Sequence, residues 1–439
     1  MGDRAQLALD TIELKVTQGI PSWMMHVMDV EFIEDFTGHA RGDFRRDCEK
    51  VYLEFQHRCG VCMIDQFIPD NPLSMRPEGF ASDAARSATT GIGRIVRDGM
   101  EIDSPEAVVE HMERFEFPRL MKNARELADA SECDMGVPPM CSTGILPVSS
   151  QFPAVSSSSS SSSSAPEQQQ QEQQQKQQDM GRMPMLHTGK MPVPHMDTKA
   201  AEILQGEQDV QRKFGRDILK VPYVFSIPYL DYYSYGYENY FAAYALYPEV
   251  MERAFSLQAD YAALFNHTCV RAVAMGRLPR LVRLDHDIAD SRGPLVDVRS
   301  LDRVYFPHFA RAIAPLLAAG IRCIWHCDGN LMPVLPRLLE TGIGGFQGFQ
   351  YEDGMEYASI CRMRDRRGGP LLIIAGVSTS RTLPHGARQD VIDQLDWLVA
   401  NGPRRGLFLG ASSSIVPGTN RDNVRTLIEG LNHYRTQGR

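Results

Sequence analysis

Between Ile321 and Asn330 the chain reads IRCIWHCDGN, an apolar run that leads into His326, Cys327 and Asp328 and then breaks at Gly329. Imidazole, thiol and carboxylate are the side chains that bind divalent metals and move protons near neutral pH. On a strand, side chains alternate between faces, so His326 and Asp328 share one face while Cys327 points the other way, unless a bulge intervenes. Asp285, His286 and Asp287 repeat the alternation, with both carboxylates on one face and His286 opposite. In this reading His326 gives or takes a proton, Asp328 orients it or holds a cation, and Asp287 contacts a substrate. Two other readings stay open. The His326/Asp328 pair could fix the strand–loop junction by hydrogen bonding alone, or it could ligate a metal in a mixed His/carboxylate site.

Further polar residues fall where apolar runs end: Asp65, Asp285, Gln347, Gln350, and Ser412 to Ser414. Each alone is an ordinary turn or cap residue; their recurrence at one end of successive runs suggests a shared cleft, with Asp65, Asp285, Gln347, Gln350, Ser412 and Ser413 as substrate-binding groups. Tyr232, Tyr233, Tyr235 and Tyr237 either line an aromatic pocket or pack under its rim. Glu238 and Asn239 read first as the start and cap of a helix. Cys59 and Cys62 form a C-x-x-C with no second pair, and they run into the apolar "VCMIDQF", so they read as buried thiols. The "GIGR" at 91–94 is too short and misplaced for a nucleotide loop.

The elements that would position these groups alternate along the chain. Strand candidates span 22–27, 61–66, 221–227, 278–285, 322–328, 344–350, 370–377 and 406–412. Helical patterns lie between them. Ser104 is placed as an N-cap with Pro105 in the first turn, and another helix is expected to end at Asn401-Gly402. Eight strands with intervening helices predict a (β/α)8 TIM barrel of the α/β class with an N-terminal helical extension; a doubly wound sheet would share most of the pattern. In a barrel the reactive groups collect at the carboxyl ends of the strands, where the polar residues fall.

Composition sets outer bounds. With 46 basic and 55 acidic residues in 439, a net charge of −9 and no basic stripe along the sequence, no nucleic-acid partner is expected. No run approaches the about 20 apolar residues of a membrane helix. The start MGDRAQLALD shows no secretory core and Gln6 departs from the lipidation pattern, so a cytoplasmic, non-membrane protein is expected. Nine irregularly spaced cysteines fit reduced thiols. Residues 141–196 hold nine consecutive serines and a Gln-rich tract, which cannot bury enough apolar surface to offset chain entropy. They read as a disordered insert in a single domain formed by 1–140 and 197–439. The similar hexapeptides TGILPV (143–148) and TGKMPV (188–193) can be written on opposite strands of an inverted DNA repeat, which would make His187 and His195 bystanders.

Taken together, GYENYFAAYALYPEV (236–250), DHDIADSRGPLVDV (285–298), WHCDGN (325–330), AGVSTSRTLPHGARQDV (375–391) and GASSSIVPGTNRDNV (410–424) resemble the uroporphyrinogen decarboxylase superfamily. The resemblance runs from about Leu7 to Leu431 without the insert. That superfamily includes corrinoid- and pterin-linked methyltransferases and is related to cobalamin-independent methionine synthase. The resemblance implies a TIM barrel with its site at the strand ends and gives Glu238 and Asn239 a cleft-facing role. It implies an enzyme acting on a small organic substrate, of methyltransferase type with a corrinoid protein or pterin as methyl carrier. Porphyrinogen decarboxylation and a non-catalytic ligand-binding barrel are the alternatives. Two departures matter. The decarboxylases carry an Arg-rich segment near the N-terminus for a substrate with many carboxylates, whereas GIPSWMMHVMDVEF (19–32) has no arginine. The zinc-dependent methyltransferases use His-x-Cys and a second Cys near the last strand, whereas this chain has His326-x-Asp328 and Ser412 to Ser414. Zinc, if held at all, would sit at a non-thiolate site.

Overall fold

After residue 278 the chain repeats one unit, an apolar run and then a helix, and in the computed structural model those runs form a five-stranded parallel sheet in a mixed α/β fold. The structure describes residues 1–76, 79–80, 94–131 and 195–439. Seven parallel strands matter for the site: β1 Met63–Ile64, β2 Leu219–Lys220, β3 Leu281–Asp285, β4 Arg322–His326, β5 Gly345–Gln347, β6 Leu372–Val377 and β7 Leu407–Ala411. β3 to β7 are hydrogen-bonded neighbours in chain order. Their residues are buried nearly throughout, as expected for parallel strands covered on both faces. In register, His326 lies opposite Asp285 on one side and Gln347 on the other. Residues paired across parallel strands point to the same face, so this register alone brings three polar side chains into one row.

Past β7 the order continues through isolated parallel bridges. Ser22 bridges Leu409, Val27 bridges Ile415, Trp23 bridges Met63, and β1 pairs with β2. Eight parallel segments therefore follow one another in chain order. Between β2 and β3 no backbone ladder is present among the described residues. Side chains span that seam instead: the Tyr223 hydroxyl donates to Asp285 Oδ2 at 3.1 Å, and Leu230 N–H donates to His286 Nε2 at 3.1 Å.

Several sequence expectations are corrected. The strand expected at 221–227 pairs earlier, at Leu219–Lys220; Pro222 and Pro228 have no N–H for a ladder, and 221–230 carries no regular structure. The segment at 22–27 makes bridges only. β5 stops at Gln347 because Gly348 turns into the left-handed region, φ +80°. The expected insert lies outside the described residues apart from its end, where the helix His195–Phe214 already begins. Of "GIGR", 91–93 also lie outside them.

Helix signals behave as their chemistry requires. Ser104 accepts from Ala107 N–H at 3.2 Å, and the helix Arg388–Asn401 stops at Gly402. Cys59 and Cys62 are free and buried, and burial pushes both thiols up. Among the described residues no helix is long and apolar enough to cross a membrane. The loops that lead into β3, β6 and β7 bring exposed arginines from distant parts of the sequence to the amino ends of the parallel strands.

Candidate functional site

At the carboxyl ends of the strands the most deeply buried charges are Arg283 and Asp65, both about 3% exposed at the side chain. Arg283 Nε donates to Asp65 Oδ2 at 2.5 Å, and Nη1 donates to Asp285 Oδ2 at 2.8 Å and Gln347 Oε1 at 3.4 Å. The guanidinium stacks over Trp23 and Tyr223, 5.4 and 5.1 Å from their ring centres. Asp65 Oδ1 also accepts from Trp23 Nε1 at 3.1 Å and Gln66 N–H at 2.9 Å. Burial alone would raise the Asp65 pKa; the charge and hydrogen bond of Arg283 and the Gln66 amide outweigh it and hold the carboxyl below its ordinary range. Asp285 is treated likewise: burial works upward, while His326, Arg283 and Tyr223 pull it below.

His326 stands beside this cluster. Its Nδ1 lies 3.3 Å from the Gln347 carbonyl oxygen, which can only accept, so Nδ1 carries a proton. Nε2 lies 3.9 Å from Asp285 Oδ1. The ring lies against Gly348, where an added Cβ would come within 2.7 Å of Nδ1. Glycine is required there twice, for that contact and for its φ of +80°.

One step outward, the other two carboxylates meet. Asp328 N–H donates to Asp287 Oδ1 at 2.8 Å. Asp328 Oδ1 accepts from Gln350 Nε2 at 2.9 Å, and Oδ2 is 3.5 Å from the Ser413 hydroxyl. Burial raises the Asp287 pKa, His326 works against the rise, and the Asp328 charge adds to it. The alternation in burial is plain: Asp285, Asp287, His326 and Asp328 are partly exposed, while His286 and Cys327 between them are buried.

The structure thus gathers His326, Asp285, Asp65 and Gln347 in one group, and Asp287, Asp328, Gln350 and Ser413 in an adjoining one. Ser412 is buried and accepts from Thr379 N–H at 3.1 Å. Asn239 donates to the Ile102 carbonyl at 3.1 Å, and Glu238 is exposed on the same helix. Tyr232 and Tyr235 are fully buried, Tyr233 is half exposed and Tyr237 partly buried.

A thiolate zinc site does not fit these residues. The Cys327 thiol is buried, accepts backbone hydrogen bonds from Ile288 and Ala289, and is pushed well above its ordinary pKa by burial. Ser412 to Ser414 offer hydroxyls and no thiol. Among the described residues no three His, Cys, Asp or Glu side chains gather as a metal-holding group, so His326 and Asp328 have no third ligand of those types.

Three site residues escaped the sequence reading: Arg283, Tyr223 and His26. A charged residue two before Asp285 inside the apolar run LVRLD was the available signal for Arg283. His26 lies between Asn71 Nδ2 at 2.8 Å and the Ser414 hydroxyl at 3.0 Å, and burial followed by Arg283 lowers its pKa to about 4.

His286, on the other face, makes a pH prediction. Its Nε2 accepts from Leu230 N–H and its Nδ1 faces the Tyr305 hydroxyl at 3.4 Å; burial lowers its pKa from 6.5 to about 3. Above pH 6.5 the ring is neutral folded or unfolded. Below it only the unfolded chain takes the proton, so stability falls as pH drops from 6.5 toward the folded value. Urea unfolding at a series of pH values is expected to show this slope. His286→Gln, which keeps an acceptor and a donor, should reduce it by up to about 1.4 kcal/mol per pH unit. An unchanged slope would mean that the folded protein protonates His286.

No protein-family model matches the chain, and no curated protein matches it. Among solved structures, a methyltransferase from Methanosarcina mazei is similar at 12% identity, with 98% of each chain covered and a TM-score of 0.45.

Proposed function

We propose that the eight parallel segments form a (β/α)8 barrel of the uroporphyrinogen decarboxylase superfamily, and that the strand-end site is an active site of methyltransferase type. The observation that carries the reading is the His326 geometry: Nδ1 held by the Gln347 carbonyl and Nε2 facing Asp285 at 3.9 Å. An acceptor X–H must lose a proton as X attacks the methyl carbon; the electron pair of the broken donor–methyl bond stays with the donor. His326 Nε2 takes that proton and Asp285 stabilises the imidazolium. Asp287, Asp328, Gln350 and Ser413 orient the substrate. The methyl donor is a corrinoid protein or a pterin.

The charge balance favours this over porphyrinogen decarboxylation. A polycarboxylate needs free cations, and Arg283 is already bound by Asp65 and Asp285.

The test is an incubation of the full chain with methylcobalamin or a methyl-tetrahydropterin and a set of thiol and amine acceptors. Loss of the donor with one acceptor class, reduced in His326→Ala, is the expected result. Turnover of a porphyrinogen would establish the decarboxylase instead, and ligand binding without turnover of any donor would leave a binding barrel.

A further inference from the structure

At the opposite end of the strands from His326, exposed arginines surround three hollows. One, of about 470 Å³, is lined by Arg277, Arg280, Arg322 and Glu13. A second, of about 100 Å³, shares Arg322 and adds Arg366, Arg367 and Asp365. The third, of about 660 Å³, is lined by Arg362, Arg364, Arg404 and Arg405. The first two share Arg322; the second and third are joined by the hairpin in which Arg364 bridges Pro370. These arginines come from sequence positions up to 128 apart, 277 to 405, so no basic run announces them.

Much of the positive charge here is not neutralised by the chain itself. Among the described residues the side chains of Arg277, Arg364, Arg367, Arg404 and Arg405 make no hydrogen bond or ion pair, and Arg362 reaches only the Ser359 hydroxyl at 3.4 Å. Of the two carboxylates lining the hollows, Glu13 is paired with Lys15 at 2.6 Å. Asp365 shapes the hairpin: Oδ1 accepts from Arg367 N–H at 2.9 Å and Gly369 N–H at 2.8 Å, and Arg322 lies 3.8 Å from Oδ2. The hairpin is therefore set in shape; Arg366 Nη1 donates to the Thr341 carbonyl at 3.2 Å, while the Arg364 and Arg367 guanidinium groups stay open. Nearby, burial and then the charge of Arg404 depress the Arg439 guanidinium pKa, a sign of crowded like charge.

From this arrangement we infer that the amino-end face of the strands is a binding site for a linear polyphosphate chain. Guanidinium forks match phosphoryl oxygens two at a time. Hollows receive a narrow chain where a bilayer surface could not enter. None of their lining residues is aromatic, so nothing there stacks a nucleobase, which single-stranded nucleic-acid sites use for much of their affinity. Adjoining hollows also favour a chain that spans two of them over one free phosphate.

The test is titration calorimetry of the full chain with orthophosphate, tripolyphosphate, a medium-chain polyphosphate, ATP and an oligouridylate of matched charge. Medium-chain polyphosphate is expected to bind saturably and at least about 100-fold more tightly than orthophosphate. Arg404→Gln/Arg405→Gln and Arg364→Gln/Arg367→Gln should each weaken it about tenfold or more. These side chains are exposed and unpaired, so folding should be unaffected. Arg45→Gln, exposed on the short helix Asp43–Arg46, serves as the control and should change affinity less than about twofold. ATP matching tripolyphosphate would assign the chain to a nucleotide tail, and much weaker ATP binding would assign an inorganic chain. Absence of saturable binding, or equal weakening by Arg45→Gln, would overturn the inference; so would tighter binding of oligouridylate, in favour of RNA.

Discussion

Arg283→Met is expected to lower the unfolding free energy by about 3–5 kcal/mol, because it leaves the buried Asp65 carboxylate without its cation. The more telling result is a change of sign with pH. In the native protein Asp65 ionises below its ordinary range, so the stability it contributes is full above its unfolded pKa of about 3.9 and is lost as pH falls through the folded value. Without Arg283, burial is the largest remaining influence and raises the Asp65 pKa. The variant's Asp65 contribution should then fall as pH rises from about 4 toward the new folded value. Asp65→Asn in the same background removes the titrating group and should abolish that dependence. Urea midpoints between pH 4 and 8 separate the outcomes. A variant that keeps the native pH dependence would mean that Trp23 and Gln66 alone hold the carboxylate ionised.

That dependence shows how much of the site was legible in the sequence. Alternation along DHD and HCD put Asp285 with Asp287, and His326 with Asp328, on shared faces, because strand periodicity is a local property. Which pairs would meet was not local. Residue types alone suggest a bond between His326 and Asp328, yet the structure seats His326 against Asp285 and the Gln347 carbonyl, because register across β3, β4 and β5 decides it. Arg283 was passed over for a related reason. Its partner Asp65 lies 218 residues away and becomes a neighbour only when β1 and β3 converge.

The fold was legible to a similar degree. Apolar runs after residue 278 marked β3 to β7, but 221–227 misled because its composition suits a strand while its prolines deny it a ladder. The arginine face was illegible for the opposite reason. A basic stripe is sought along the sequence, whereas parallel strands place the loop before each of them at one common end. Positions 277, 364 and 405 become one surface through topology alone.

His326→Ala is the variant expected to cost most in activity, about 100- to 10,000-fold in kcat, with KM changed only a few-fold. The KM expectation follows from the placement of Asp287, Asp328, Gln350 and Ser413, which hold one another independently of the imidazole. Added imidazole should restore part of kcat, since the alanine variant leaves a space beside Asp285 and the Gln347 carbonyl. Gly348→Ala tests the same group without deleting it. Its new Cβ would press on Nδ1 from 2.7 Å and oppose a φ of +80°, so the ring must turn away from Asp285 and kcat should fall with His326 still present. Exogenous imidazole should not rescue this second variant, because the new Cβ takes up part of the space where the ring lay. If His326 serves only to tie the end of β4 to β5, the alanine variant will lose stability and keep kcat. Thermal unfolding measured beside the kinetics distinguishes that outcome from loss of a base.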